Sequence, residues 1–425
     1  MNSARDGGGQ YAGVAGLPGT PHPGAVRRLL PFALALGAAC ATASSKSSAE
    51  GTVAADAEAR LGAVDSLLAR AVADSVTPGA AVAVGRSGGP VMVRAQGRLD
   101  YAPGSPAVTD STLWDIASLT KVVATTSAVM VLVEEGELEL DSTVAARMPW
   151  FGTAGKEGIT VRQLLLHRGG LPPFRRWWRA ALEEDWDSGR AREVYRDSLA
   201  ALEPVAQPGD TTIYSDLGFI ALGYLVEEAS GVALDRFARV RVFLPLGMGE
   251  TTFRPGAELL PRIAPTEIDT FAGRGHVRGV VHDENAWAMS GVAGHAGVFS
   301  SVRELARFAE SLLVRARAGD PAVVRFTSRG DSTSSRALGW DTPSEGSSAG
   351  RFLSGRAFGH TGFTGTSIWI DPALDLYVVL LTNSVNPTRE GRRHYALRRA
   401  VHEAVACALA GPAPAGCPVT LSSYD

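Results

Sequence analysis

Two pairs of short apolar segments lie at opposite ends of this chain, and they constrain its fold more than any other feature. Ala80–Val84 and Val91–Ala95 flank Gly85-Arg86-Ser87-Gly88-Gly89-Pro90, the pattern of two strands joined by a tight turn. Thr366–Ile370 and Leu376–Thr382 flank Asp371-Pro372 in the same manner. The stretch between them, roughly 141 to 310, reads instead as helices and long loops, with Val161–Leu166, Phe219–Ala229 and Val302–Leu313 among its apolar runs. Helical spacing of Leu61, Val64, Leu67, Leu68 and Val72 predicts a helix over Ala57–Val72, ended by Pro78-Gly79, and Arg389–Leu409 reads as a terminal helix. Strands at both ends around a helical middle predict one antiparallel sheet built from both chain ends, flanked by helices and carrying a helical insertion: an α/β fold of the α+β kind. Residues 328–350, rich in Ser, Gly and charge, read as a flexible connection. No internal repeat is visible.

Charge excludes more than it suggests. Forty-one basic against 44 acidic residues leave a net charge of −3. No basic block points to nucleic acid, and no polybasic run points to an anionic membrane surface. A hydrophobic fraction of 45% is ample for a buried core.

The N-terminus has the form of an export signal. Arg27 and Arg28 precede an apolar run from Leu29 to Ala39, about a dozen residues, too short for a bilayer that takes ~20. The run ends in Gly37-Ala38-Ala39-Cys40, followed by Ala41-Thr42-Ala43-Ser44-Ser45. Small residues before a cysteine resemble a bacterial lipoprotein cleavage site, in which Cys40 carries the lipid; the other reading is an ordinary signal peptide. Residues 1–40 are thus expected as a signal, 41–54 as a tether, 55–410 as the folded domain and 411–425 as a tail. The expected location is the periplasm or the outer face of a bacterial membrane. Cys407 and Cys417 remain as a pair, either bridged in an oxidising compartment or left as two free thiols.

Three motifs carry the chemistry. In Ser118-Leu119-Thr120-Lys121 a serine and a lysine three apart, at the start of a helix running to about Glu134, share one face. The helix N-terminus favours a developing oxyanion, and a buried neutral amine accepts a serine proton. Pro208-Gly209-Asp210 precedes Tyr214-Ser215-Asp216, where a tyrosine beside a cation serves as acid or base; the alternative is a Tyr that caps the core. His360-Thr361-Gly362 lies just before the strand at Thr366. There the glycine lets substrate approach the strand edge, and the N–H of Phe363 pairs with that of Ser118 as an oxyanion hole.

In this order the three motifs resemble those of the serine β-lactamase and penicillin-binding-protein superfamily: Ser-x-x-Lys, Tyr-x-Asn, and Lys-Thr-Gly or His-Thr-Gly. Trp114-Asp115-Ile116-Ala117, Ile159 through Pro172, Leu244-Pro245-Leu246-Gly247-Met248, and Gly297-Val298-Phe299-Ser300-Ser301 leading into Leu305 resemble family segments at the same places. The resemblance covers roughly 60 to 405 and implies a β-lactamase/transpeptidase-like fold. It makes Ser118 the acylated nucleophile, Lys121 its general base and Tyr214 a proton shuttle, with His360 and Thr361 touching the substrate. Two departures matter. Asp216 stands where Asn is commoner, so an ionised Asp216 would hold Lys121 protonated and repel a carboxylate. His360 replaces the commoner Lys and removes a permanent charge.

The resemblance implies no cofactor. His282 and His295, near Asp283 and Glu284, match no helical zinc spacing and are expected to brace loops, as is His167. Val281-His282-Asp283 and Gly294-His295-Ala296-Gly297 resemble a subgroup tied to cell-wall metabolism. Phe174-Arg175-Arg176-Trp177-Trp178 is read as a lid packed on the body, or else as a groove or membrane contact. The expected partner is a small-molecule or peptide substrate derived from peptidoglycan, and the membrane if Cys40 is lipidated. The leading expectation is a DD-carboxypeptidase-like or esterase-like hydrolase, beside a β-lactamase and a non-catalytic binding module.

Overall fold

The computed structural model describes residues 61–183, 190–391, 393–409 and 417. The N-terminal signal, the tether, Cys40 and most of the tail lie outside the described residues.

A five-stranded antiparallel sheet runs in the order β2-β1-β9-β8-β7, formed by β1 (Gly79–Arg86), β2 (Gly89–Gly97), β7 (Phe358–Thr361), β8 (Ser367–Asp371) and β9 (Leu376–Thr382). β1 and β9, from opposite ends of the chain, are paired from Ala80↔Thr382 to Gly85↔Tyr377. Both are buried along almost their whole length, so their side chains feed two cores in alternation. Val82, Val84, Val378 and Leu380 meet α1 (Gly62–Ala73) and the terminal α5 (His394–Leu409) on one face. Ala81, Ala83, Val379 and Leu381 meet the larger core of α2 (Ser127–Glu134), α3 (Asp216–Ser230) and α4 (Val302–Arg317) on the other. A two-stranded piece, β3 (Leu113–Asp115) with β6 (Phe299–Ser301), ties the entrance of the Ser118 segment to the middle of the chain, and a second, β4 (Ile268–Asp269) with β5 (Gly275–His276), lies within that middle.

Several elements differ from the sequence reading. His360 and Thr361 do not merely precede a strand; they belong to one, β7, at the sheet edge. The terminal helix begins at His394 rather than Arg389, because Arg389 is drawn away into ion pairs with Glu267 and Glu284. Residues 328–350 are not a loose connection. Ala337, Leu338 and Trp340 are buried, Asp341 exchanges both backbone hydrogen bonds with Gly359 of β7, and Trp340 packs edge-on against Phe358. The polar composition of the segment reflects its local turns, in which Ser335 and Asp331 bond within the loop.

The stretch from Ala117 to Glu134 is apolar and long enough to cross a membrane, yet 83% of it is buried inside the protein, as befits a core helix. It is not a uniform α-helix. A 3-10 turn (Ala117–Leu119) gives way to a π-helical segment (Lys121–Thr126) before α2 begins. Wide turns of this kind collect at functional sites.

Candidate active site

Ser118 sits one residue beyond a strained point. Ala117 has φ +48°, a left-handed conformation that costs a non-glycine residue about 1 kcal/mol. Asp115 holds the turn: its Oδ1 accepts the Ala117 N–H at 2.8 Å and its Oδ2 accepts the His282 N–H at 2.6 Å. Burial raises the Asp115 pKa, against the opposing pull of those two donors.

Lys121 is fully buried. Its Nζ lies 3.0 Å from Ser118 Oγ and 3.1 Å from the His295 carbonyl. The same ammonium lies 2.7 Å from Asp216 Oδ1 and 5.0 Å from the Tyr214 ring centre. Burial alone pulls the amine's pKa down, but the Asp216 charge and the Tyr214 oxygen outweigh it and hold Lys121 above the ordinary lysine value. Lys121 at rest is therefore an ammonium, as the sequence reading of Asp216 anticipates.

α3 positions the second motif. Ser215 caps it by accepting the Gly218 N–H and donates to the Pro172 carbonyl, which fixes Tyr214 and Asp216 on either side. His167, at φ +56°, accepts the Ser215 N–H on Nδ1 and stacks on Tyr214 at 4.5 Å between centroids. It braces the loop.

The third motif approaches from β7. Thr364 Oγ1 donates to the Asp115 carbonyl and Thr366 Oγ1 to that of Ile116. A Cβ on Gly362 would stand 2.5 Å from the Ile116 carbonyl oxygen. The glycine thus makes room for the backbone leading to Ser118, a requirement the sequence reading does not contain. Phe363, the other expected oxyanion donor, stacks on His282 at 5.6 Å. His360 is buried, its Nδ1 against the Thr361 carbonyl. Burial, then the charges of Arg336 and Lys121, put its pKa well below the ordinary histidine value. His360 is a neutral ring, so the motif carries no cation of its own.

Arg398, Glu267 and Arg336 stand around the site without any motif to mark them. Arg398 of α5 bonds the Gly362 and Gly365 carbonyls. Asp283 pairs with His295 at 2.8 Å, which outweighs burial and holds the carboxyl well below its usual range. Glu267 lies between His282 and Arg389; although burial opposes it, the pairing holds its pKa at about 2. Arg336 places its guanidinium 5.2 Å from the Tyr214 ring centre. His282 and His295 are engaged with carboxylates, and no cluster of three metal-ligating side chains exists among the described residues. In the aromatic-basic segment Trp178 is buried and donates its backbone N–H to Asn285 Oδ1, while Arg176 lies over Phe271; this part packs on the body.

Residues 64–403 match the family model described as Beta-lactamase. The chain belongs to the beta-lactamase family. This β-lactamase-family chain is 32% identical over 309 residues to an Escherichia coli protein named "Putative D-alanyl-D-alanine carboxypeptidase", covering 65% of the chain and 70% of that protein. A protein of the same name from Salmonella schwarzengrund is 31% identical over 303 residues, with the same coverage. Among solved structures, a penicillin-binding-protein homologue from Caulobacter crescentus superposes with a TM-score of 0.65 at 22% identity, over 82% of this chain and 98% of that one. A class C β-lactamase from Rhodobacter sphaeroides gives 0.62 at 18%, over 81% and 98%. Both confirm the fold. The β-lactamase-family chain is a serine hydrolase of this superfamily.

Proposed function

We propose that this serine hydrolase is an exported DD-carboxypeptidase-like enzyme of the cell envelope, working through an acyl-enzyme on Ser118. The observation that carries the reading is the fully buried Lys121, whose Nζ lies 3.0 Å from the Oγ of a partly exposed Ser118. The carboxypeptidase assignment is supported by relatives of that name at 32% identity, and export by the apolar run before Cys40.

In this mechanism the reactive form is the fraction in which Lys121 has lost its extra proton. The neutral amine takes the Ser118 proton as Oγ attacks the scissile carbonyl. The N–H groups of Ser118 and Phe363 receive the developing oxyanion. Lys121 passes the proton through Tyr214 to the leaving amine, and the same pair activates water for deacylation. Thr361 and His360 line the acyl side, where the neutral ring of His360 takes the place of a charged lysine. That neutrality gives a second reading, an esterase acting on uncharged esters.

Intact-protein mass spectrometry after incubation with fluorescent penicillin and with p-nitrophenyl acetate, beside Ser118→Ala, tests the proposal. A long-lived penicillin adduct on Ser118 supports the carboxypeptidase. Ester turnover without an adduct supports the esterase, rapid penicillin turnover a β-lactamase, and no reaction with either a binding module.

A further inference from the structure

An anionic substrate needs a cation, and most positive groups at this site are already engaged. Lys121 is held 2.7 Å from Asp216. Arg398 donates to the carbonyls of Gly362 and Gly365. His360 is a buried ring bonded to a backbone carbonyl.

Arg336 differs. Among the described residues its guanidinium has neither a carboxylate partner nor a hydrogen-bond acceptor; only its backbone bonds, the N–H to Ser334 Oγ and the carbonyl to the Gly330 N–H. The two nearest carboxylates of its own segment are occupied, Asp331 by Arg168 and Asp341 by Ser335. The guanidinium lies 5.2 Å from the centre of the Tyr214 ring. That ring is 6.0 Å from His360, and Lys121 Nζ lies 5.0 Å from its centre.

The placement is rigid. Asp341 is hydrogen-bonded to Gly359, the residue before His360. Gly339 donates to the Leu165 carbonyl and Leu338 to that of Phe326, and Trp340 is buried. A planar guanidinium held over an aromatic face keeps its fork oriented. Half-buried, it attracts a carboxylate more strongly than an exposed cation does. Asp216 does not oppose this, since Lys121 neutralises it at contact distance.

We propose that Arg336 is the specificity-determining residue that binds the terminal carboxylate of a peptide whose last amide Ser118 attacks. The proposal rests on the carboxypeptidase reading above, and it supplies the charge that His360 lacks. Bidentate pairing with a guanidinium is the strongest recognition open to a carboxylate without a metal.

The test uses the whole protein and a pair of acyl-D-alanyl depsipeptides that differ only in the leaving group, one ending in a carboxylate and the other in the carboxamide. The readout is the ratio of their kcat/KM values. The wild type is expected to favour the carboxylate, and Arg336→Gln to lower the ratio by about 10- to 100-fold, the loss of one charge-assisted pair. Arg336→Lys keeps the charge and should retain more of the ratio than Gln. A wild-type ratio near one, or an unchanged ratio in Arg336→Gln, overturns the proposal. So does an equal loss on both substrates, which would make Arg336 a positioning residue acting through Tyr214. If the wild type hydrolyses p-nitrophenyl acetate but neither depsipeptide, the carboxypeptidase reading itself falls, and the proposal with it.

Discussion

The ammonium of Lys121 and the carboxylate of Asp216 lie 2.7 Å apart, with the lysine wholly buried and the aspartate one-fifth exposed. Ser118 Oγ touches the same ammonium at 3.0 Å. The nucleophile is thus hydrogen-bonded to a lysine that must shed a proton before it can accept one, and the pairing sets how hard that is.

Replacing Asp216 by Asn removes the charge that holds Lys121 above its ordinary pKa. Burial is then opposed only by the Tyr214 oxygen, and the balance shifts towards the neutral amine. We expect kcat/KM at neutral pH to rise roughly 10-fold in Asp216→Asn, the size of one neighbouring charge. The alkaline-rising limb of the pH–rate profile should move to lower pH. A profile with an unmoved limb would show that Asp216 does not govern Lys121.

Lys121→Ala deletes the amine itself. Acylation measured by single-turnover stopped flow should fall by ~10² to 10⁴, the range of a positioned base. Acylation at the wild-type rate would take Lys121 out of the mechanism.

Gly362→Ala probes the junction between β7 and the Ser118 turn. The new Cβ would meet Thr366 Oγ1 at 2.1 Å and the Ile116 carbonyl at 2.5 Å, closer than packed atoms tolerate. Overpacking of this kind costs about 1–3 kcal/mol. Both the melting temperature and kcat should drop; an unaltered kcat would show that Ser118 is positioned independently of β7.

Acid should destabilise the fold through buried neutral histidines. His402 sits between Ser367 Oγ and the Ser348 carbonyl, and burial depresses its pKa to about 4 from a reference of 6.5. The unfolded chain therefore binds a proton that the folded one refuses over this window. Stability is fully present above pH ~6.5 and declines as pH falls towards ~4, by about 3 kcal/mol from this group. His167 and His360 are depressed in the same direction. Denaturant midpoints measured across that range should fall less steeply in His402→Gln than in the wild type.

Much of the site was legible because its members are close in sequence. Ser118 and Lys121 are three apart on one turn, and Tyr214 and Asp216 bracket the cap of one helix. Local periodicity likewise marked β1, β2, β8 and β9 and the core helix after Ser118. Arg336 gave no such signal. It lies in a stretch whose Ser and Gly content reads as loose linker, and the ring it lies over, Tyr214, comes from far along the chain, as does the Leu165 carbonyl that holds Gly339. Arg389 reads as helical in sequence because composition cannot show that Glu267 and Glu284 compete for it. At Gly362 the sequence gives no sign of the Ile116 backbone that passes beside it.

What the sequence determined by itself was the antiparallel sheet drawn from both chain ends, the helical middle, and the set of reactive side chains. Those follow from alternation, helical spacing and chemical type, which are properties of neighbouring residues. Only the tertiary structure decided that Asp216 lies close enough to hold Lys121 as an ammonium, that His360 is a neutral ring and that the Arg336 cation sits over Tyr214. Charge state depends on desolvation and on the distance to other charges. Both are set by segments that meet only when the chain is folded.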